Sequence, residues 1–421
     1  MQFNKALRHT ILWKVMNTIV LFCINLLMVR MMGAGQSGTF YYDITVLAML
    51  ALLQGFSLES GTVFFKSKQS EDGNAFAAAL ILWLVLQVFI GAVVLLFINV
   101  AIAPAAALVF VISNIAITFF GALFAANKVF LLPNIISTGV NLLLLLILLF
   151  LFVNNKVYTG GSALPVYLYM YSFAMQALLF AVFFYYNYKQ EVSIAAVNVA
   201  VLKKLFAFSG VAFAGNLLFF LLTRVDYYFV NKYCTTAALG NYIQVSRLGQ
   251  LLVLLPSMIA AVLFPYTAGA EEKMFLEKTQ FFCRVLTWVF IPLMLGLAAT
   301  GFWLFPLLFG DDFSMMYTAL LFYMPGFFAL SIITVLAAYT GGRGMVGSNL
   351  AATALALAIM VTGDVLLIPL CGIDGAAISS SLAYLACLIW LLLSLKRKEY
   401  FFTTDFFGFR LSDLKRLTSM L

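Results

Sequence analysis

Ionisable side chains stand inside long apolar stretches of this chain: Glu59, Arg224, Asp226, Arg247 and Asp364. Charge in such surroundings is costly and is kept where it faces a cavity, a partner or a binding site. The arginines suit one chemistry in particular. A guanidinium presents a planar fork of donors that grips phosphate or pyrophosphate through two parallel hydrogen bonds. Arg30 and Lys232, at the ends of two apolar stretches 202 residues apart, add cations to the same candidate anion site. The carboxylates Glu59, Asp226 and Asp364 suit another task, the coupling of transport to sodium or protons, or a purely structural one.

These residues leave alternatives open. At 1.5 Å per residue, Arg224 and Arg247 both fall roughly 10–15 Å below one surface, close enough to serve one site. Asp226 lies about 200° around the helix from Arg224 and does not face it. Across the turn to the next segment it falls near the depth of Arg247, so an Asp226–Arg247 ion pair competes with a substrate role for Arg247. Arg224 is read as cavity lining. Glu59, flanked by Ser57, Ser60 and Gly61, is either an ion-linked switch or a carboxyl held by neighbouring hydroxyls.

Other chemistry is poorly represented. No GxxxxGK[ST], GxSxG or HExxH occurs, so ATP hydrolysis and hydrolase chemistry find no support and no catalytic residue is assigned. Asp311-Asp312 follows a glycine and reads as a turn and helix N-cap rather than the acidic pair of a glycosyltransferase. Cys23, Cys234, Cys283, Cys371 and Cys387 are scattered without metal spacing, and the single histidine, His9, sits in a basic leader. Neither a metal site nor a cofactor is expected.

The elements that position these residues are membrane spans. The chain is 64% hydrophobic and 10% charged, with 43 Phe against 16 Asp and Glu, and its mean hydropathy is +1.07. A spanning helix needs about 20 apolar residues, which gives twelve: 11–31, 39–66, 74–99, 102–126, 129–153, 163–188, 203–232, 237–268, 279–308, 314–341, 345–370 and 373–395. The first is read as retained and not as a cleaved signal. Of the 24 Lys and Arg, only Arg30, Lys156 and Lys232 fall on one side, and Arg224 and Arg247 lie within spans. The rest, including Lys66, Lys128, Lys273, Arg284 and Arg343, gather on the other side with both termini, which the positive-inside rule places in the cytoplasm. The net charge of +8 is thus a topology signal and not a nucleic-acid footprint. Pro256, Pro265, Pro292, Pro306 and Pro325 fall within spans, either as hinges or as packing kinks.

A shift of 202 residues carries Arg30 onto Lys232, Gly38-Thr39-Phe40 onto Gly240-Asn241-Tyr242 and Phe64 onto Tyr266. The chain is therefore read as two parallel six-helix repeats related by a pseudo-two-fold axis, with a central cavity for substrate. The expected organisation is an N-terminal lobe at 1–188, a cytoplasmic linker at 189–202, a C-terminal lobe at 203–395 and a basic aromatic cytoplasmic tail at 396–421.

Residues 223–265, TRVDYYFVNKYCTTAALGNYIQVSRLGQLLVLLPSMIAAVLFP, resemble the opening of the second half of the polysaccharide-type flippases, within the multidrug/oligosaccharidyl-lipid/polysaccharide exporter superfamily. LFG at 308–310, MPGFF at 324–328, AAYTGGRG at 337–344, LLIPLCGIDGAAISSSLAY at 366–384 and the stretch 30–61 carry the same likeness. The resemblance implies an all-α, MATE-like transporter of twelve helices in the bacterial inner membrane. Its implied substrate is an undecaprenyl-pyrophosphate-linked oligosaccharide, flipped by alternating access during O-antigen, lipopolysaccharide or related surface polysaccharide synthesis. A polymerase or ligase would be its partner, beside membrane lipids. Lipid II flippases carry two extra helices, which argues against a peptidoglycan precursor. A cation-coupled drug antiporter and a scaffold of a polysaccharide assembly complex are the alternatives.

Overall fold

The computed structural model describes residues 2–67, 73–154, 163–267, 272–397, 404–408 and 413, and among these every regular element is helical. Contacts group them into two compact units, residues 1–217 and 218–421. Lys68, Lys156 and most of the tail lie outside the described residues, as do the side chains of His9 and Lys273.

Unit 1 contains α1 (Gln2–Gly55), α2 (Leu58–Ser67), α3 (Gly73–Leu95), α4 (Pro104–Ala126), α5 (Leu131–Val153), α6 (Leu164–Tyr188) and the first half of α7 (Val199–Tyr233). A straight helix the length of α1 would measure roughly 80 Å, far beyond a hydrocarbon core of about 30 Å. The chain turns at Gly33, whose φ of 69° is a conformation that suits glycine, and α1 becomes two spans. The second of these is broken again. Phe56 and Ser57 both take positive φ, 49° and 50°, and α2 starts directly afterwards with Glu59 in its first turn. Such strain at non-glycine residues persists only where surroundings enforce it. Here Phe56 packs on Phe206 and Phe213 of α7, and Asn216 donates to the Ser57 hydroxyl at 3.0 Å. These contacts place the division between units inside α7 and not within 189–202. The 189–202 segment is itself anchored in unit 1, where Glu191 accepts from Lys66 and Asn127, each at 2.7 Å.

Unit 2 holds the rest of α7, α8 (Thr236–Leu252), α9 (Leu254–Thr267), α10 (Glu272–Phe309), α11 (Met316–Gly342), α12 (Val346–Lys396) and α13 (Thr404–Phe407). Thr235, the residue onto which a shift of 202 carries Gly33, caps α8 by accepting from the Ala238 N–H at 3.2 Å. As in unit 1, the second span is interrupted: α8 gives way to α9 at Val253, three residues before Pro256, so the proline sits in a first helical turn where no donor is missed. α12 runs for 51 residues and turns at Gly372 (φ 59°). Among the described residues ten helices are long and apolar enough to cross a membrane, and because α1 and α12 each fold at a glycine they supply the twelve spans. Asp311 and Asp312 open a single 3-10 turn whose N-cap is Gly310, and α11 is capped by Met315, so neither aspartate is the N-cap expected from the sequence.

Pro325 lies inside α11 and costs its ladder a donor. Ser381 of α12 repairs the break: its hydroxyl donates to Phe322 O at 2.7 Å and accepts from Gly326 N at 3.1 Å. Gly326 has to be a glycine for this, since a Cβ there would stand 2.9 Å from the Ser381 backbone. The proline thus marks a close seam between α11 and α12.

Candidate functional site

Unit 2 gathers most of the residues singled out by type. On α7, Arg224 and Asp226 point to different partners. The Arg224 guanidinium donates to the Tyr227 hydroxyl and, at 2.8 Å, to Gln250 Oε1 on α8, with Tyr227's ring 5.2 Å from its centre. The fork is thereby held in one orientation by groups that carry no charge. Arg247 lies three residues before Gln250 on α8, one turn away on neighbouring positions of the helix surface. The hairpin of α7 and α8 brings Arg224 to Gln250, one helical turn after Arg247 on α8.

Asp226 turns inward. Its carboxylate accepts from Tyr242 at 2.6 Å and Ser380 at 3.3 Å, and from the Tyr227 N–H at 2.9 Å. These hydroxyl and amide donors are its hydrogen-bond partners, and Arg224 lies within electrostatic reach of it. Asp364 on α12 shares this interior and lies within electrostatic reach of Asp226. It is fully buried, and neither of its oxygens accepts a hydrogen bond from the described residues. Its neighbour Ser379 spends its own hydroxyl on Gly375 O at 2.9 Å. Tyr227, Tyr242, Tyr323 and Tyr384 wall the cluster, none more than 1% exposed, with Tyr242 and Tyr323 stacked at 6.0 Å.

Two carboxylates in one water-poor site repel each other and need positive charge between them. Arg224 lies within electrostatic reach of Asp226, and no group of three or more His, Cys, Asp or Glu forms a metal cluster among the described residues. Tyr242→Phe removes one of the donors to Asp226. An orphaned buried acceptor costs about 1–3 kcal/mol, so thermal unfolding in detergent is expected to begin several degrees lower, with the protein still inserted.

In unit 1, Glu59 borders a cavity of about 170 Å³ together with Ser57, Asn114 and Thr118. It meets this cavity from just beyond the strained residues 56 and 57, and Asn114 and Thr118 line the same space from α4. Arg30 and Lys232 are both exposed at span ends, and Lys232 Nζ stands 5.3 Å from the Tyr233 ring.

Two charges escape the apolar pattern. Asp43 lies inside the second span, 4% exposed, and accepts from the Ala101 N–H at 2.9 Å. Arg284, grouped with the cytoplasmic basic residues on sequence grounds, is buried in α10 at 3% exposure. Its guanidinium makes a fork-to-fork pair with Asp413, at 2.6 and 3.0 Å, and reaches Asp405 O at 2.6 Å. Phe406 is fully buried beside it and Phe407 meets Phe328 at 6.2 Å. This part of the tail is thus folded onto α10 and α11 rather than solvated. The sequence signal, an acidic residue among Phe-rich positions after the last span, is too weak to mark a fold-back by itself.

The fold, with its long apolar helices among the described residues, is that of a multi-pass membrane protein. Residues 161–318 match the family described as "Polysaccharide biosynthesis protein". Among solved structures, the lipid II flippase MurJ in an inward closed conformation aligns with a TM-score of 0.72 at 15% identity, covering 97% of this chain and 92% of that one. The Vibrio cholerae MATE transporter VcmN aligns at 0.64 with 16% identity, covering 94% and 97%. A transporter of the MOP superfamily from Pyrococcus furiosus gives 0.55 at 13%, covering 94% and 97%. No curated protein sequence matches. The fold is shared with MurJ and the MATE transporters, and the family match covers 161–318 alone.

Proposed function

We propose that this protein is a flippase that carries a polyprenyl-pyrophosphate-linked oligosaccharide from the cytoplasmic to the outer leaflet of a bacterial inner membrane by alternating access. The observation that carries this reading is the Arg224 clamp. A guanidinium held by the neutral groups of Tyr227 and Gln250 offers its fork to an anion, with Arg247 one turn earlier on α8. A pyrophosphate matches such a pair better than a single-charged group does. The similarity of 161–318 to polysaccharide biosynthesis proteins supports the sugar-bearing lipid, and a polysaccharide polymerase or ligase is the partner that would consume it. Asp226 and Asp364 take the coupling ion, sodium or a proton, and Glu59 is a second candidate for that role.

The cation-coupled antiporter remains the second reading, since buried carboxylates also suit organic cations and the MATE transporters share the fold. Depletion in cells separates the two. A flippase leaves lipid-linked oligosaccharide accumulating on the cytoplasmic leaflet, measured by its protection from glycan-modifying enzymes in oriented vesicles. An antiporter leaves that pool unchanged and raises retention of cationic dyes. Orientation is tested in the same cells: with both termini cytoplasmic, a cysteine at position 311 reacts with an impermeant reagent from outside and one at position 128 does not. Labelling at 128 from outside would reverse the topology.

A further inference from the structure

The end of unit 1 near the Gly33 turn holds a cavity of about 300 Å³ that nothing in the pyrophosphate site requires. This volume sits at the small end of ligand sites, which run from about 300 to 1,000 Å³. Its polar floor is Asp43. The wall carries the exposed amide of Gln36, the hydroxyl of Thr39, the ring of Phe40, the phenol of Tyr167 and the backbone of 101–103.

Asp43 is the feature that asks for an occupant. A carboxylate at 4% exposure needs partners, and those it has are backbone N–H groups of Ala101 and Ile102. Among the described residues no Lys or Arg forms an ion pair with it. Two N–H donors fix the orientation of the carboxylate but leave lone pairs over, since the group offers about four acceptor positions. A divalent cation is a poor candidate for the space. Calcium takes six to eight oxygen ligands, and one carboxylate with an amide and two hydroxyls falls short of that. Several O–H donors on one small ring fit better: a carboxylate accepts from neighbouring hydroxyls, an amide bonds in both senses, and aromatic walls cover the C–H face.

We propose that this cavity is a sugar-binding subsite, which takes one pyranose ring of a neutral glycan through Asp43 and Gln36 with Tyr167 and Phe40 as its walls. The inference rests on the flippase reading for its location. With both termini cytoplasmic, the Gly33 end faces the outer leaflet, the side to which the glycan is delivered. Binding there favours the outward form of the loaded carrier and gives it a preference among glycans that the phosphate grip cannot provide.

The full chain, reconstituted in fluorescent nanodiscs, is applied to an array of neutral reducing-end-tethered glycans. Expected is saturable binding to a subset sharing one residue type, weakened roughly tenfold or more in Asp43→Asn, where a charged acceptor becomes a neutral amide. Because Asp43 also ties down the 96–103 segment, Gln36→Ala provides the second arm. That side chain is exposed, so its loss should weaken binding without changing the thermal unfolding midpoint. Absence of glycan binding by the wild type, or equal binding by both variants, overturns the subsite. Stabilisation by calcium chloride that disappears in Asp43→Asn, without glycan binding, overturns the sugar assignment in favour of a cation. The depletion assay reads separately: accumulation on the cytoplasmic leaflet with no glycan binding removes the subsite alone, whereas glycan binding without accumulation removes the flippase reading.

Discussion

Arg224→Ala is expected to abolish surface polysaccharide export while the protein still inserts and accumulates normally. The reason lies in the groups around the guanidinium. Its hydrogen-bond partners in the structure are a phenol and a carboxamide, and Asp226, within electrostatic reach of it, keeps its own hydroxyl and amide donors when the guanidinium is removed. Tyr227 and Gln250 lose one neutral-group contact each, and Gln250 is exposed and can turn to water. Folding should cost little. Substrate binding loses far more, since a charge-assisted hydrogen bond contributes about 1.5–3 kcal/mol, or on the order of ten- to a hundredfold per bond. Arg224→Lys should retain partial export because an ammonium supplies the charge but not the planar fork. Gln250→Ala should fall between wild type and Arg224→Lys, since it frees the fork without removing it. Export would be read as surface polysaccharide per cell at matched protein level. Full export by Arg224→Ala would take this residue out of the mechanism, and a fall in protein level equal to the fall in export would make its role structural.

The spans were legible because their signal is long and one-dimensional: twenty apolar residues in a row read the same wherever the fold places them. Even so, the turns at Gly33 and Gly372 merge neighbouring spans into single long helices, and the interruptions at Phe56-Ser57 and Val253 carry no composition that announces them. Pro256 came near the second interruption but marks its consequence, a helix start, rather than the break itself. The candidate site was legible by residue type and not by pairing. Arg224, Asp226 and Asp364 stand out because charge is rare in apolar sequence, whereas their partners Tyr242, Ser380 and Gln250 are of types that membrane helices use freely. Ser380 meets Asp226 across 154 positions of sequence, and Asp413 meets Arg284 across 129. Helical periodicity reaches only three or four residues, so neither pairing had a local signature. The Asp226–Arg247 tie, one of the two readings left open by the sequence, rested on depth alone, whereas the hydroxyls that donate to Asp226 arrive from other spans.

Sodium is expected to stabilise the wild-type protein against thermal unfolding, and Asp364→Asn or Asp226→Asn should remove the effect. Asp364 is buried with both oxygens lacking hydrogen-bond donors, and Asp226 adds a second negative charge to the same interior. A bound cation relieves both the repulsion and the unmet acceptors, and so adds its binding free energy to the folded state. At a sodium concentration one hundred times the dissociation constant this amounts to about 2.7 kcal/mol. For chains of 150–250 residues each kcal/mol moves the midpoint by roughly 2–4 °C, and an effect of several degrees is measurable here even if the longer chain reduces it. Choline chloride at equal ionic strength provides the control, since it screens surface charge but is too large for the site. The single variants have a second signature. Each relieves the like-charge repulsion, so in sodium-free buffer Asp364→Asn should match or exceed the wild-type midpoint, the reverse of the loss expected when one partner of a stabilising ion pair is cut. A wild-type midpoint equally raised by choline and sodium, or a sodium shift that survives in both variants, would rule out sodium at this pair and leave a shared proton as the charge that holds the two carboxylates together.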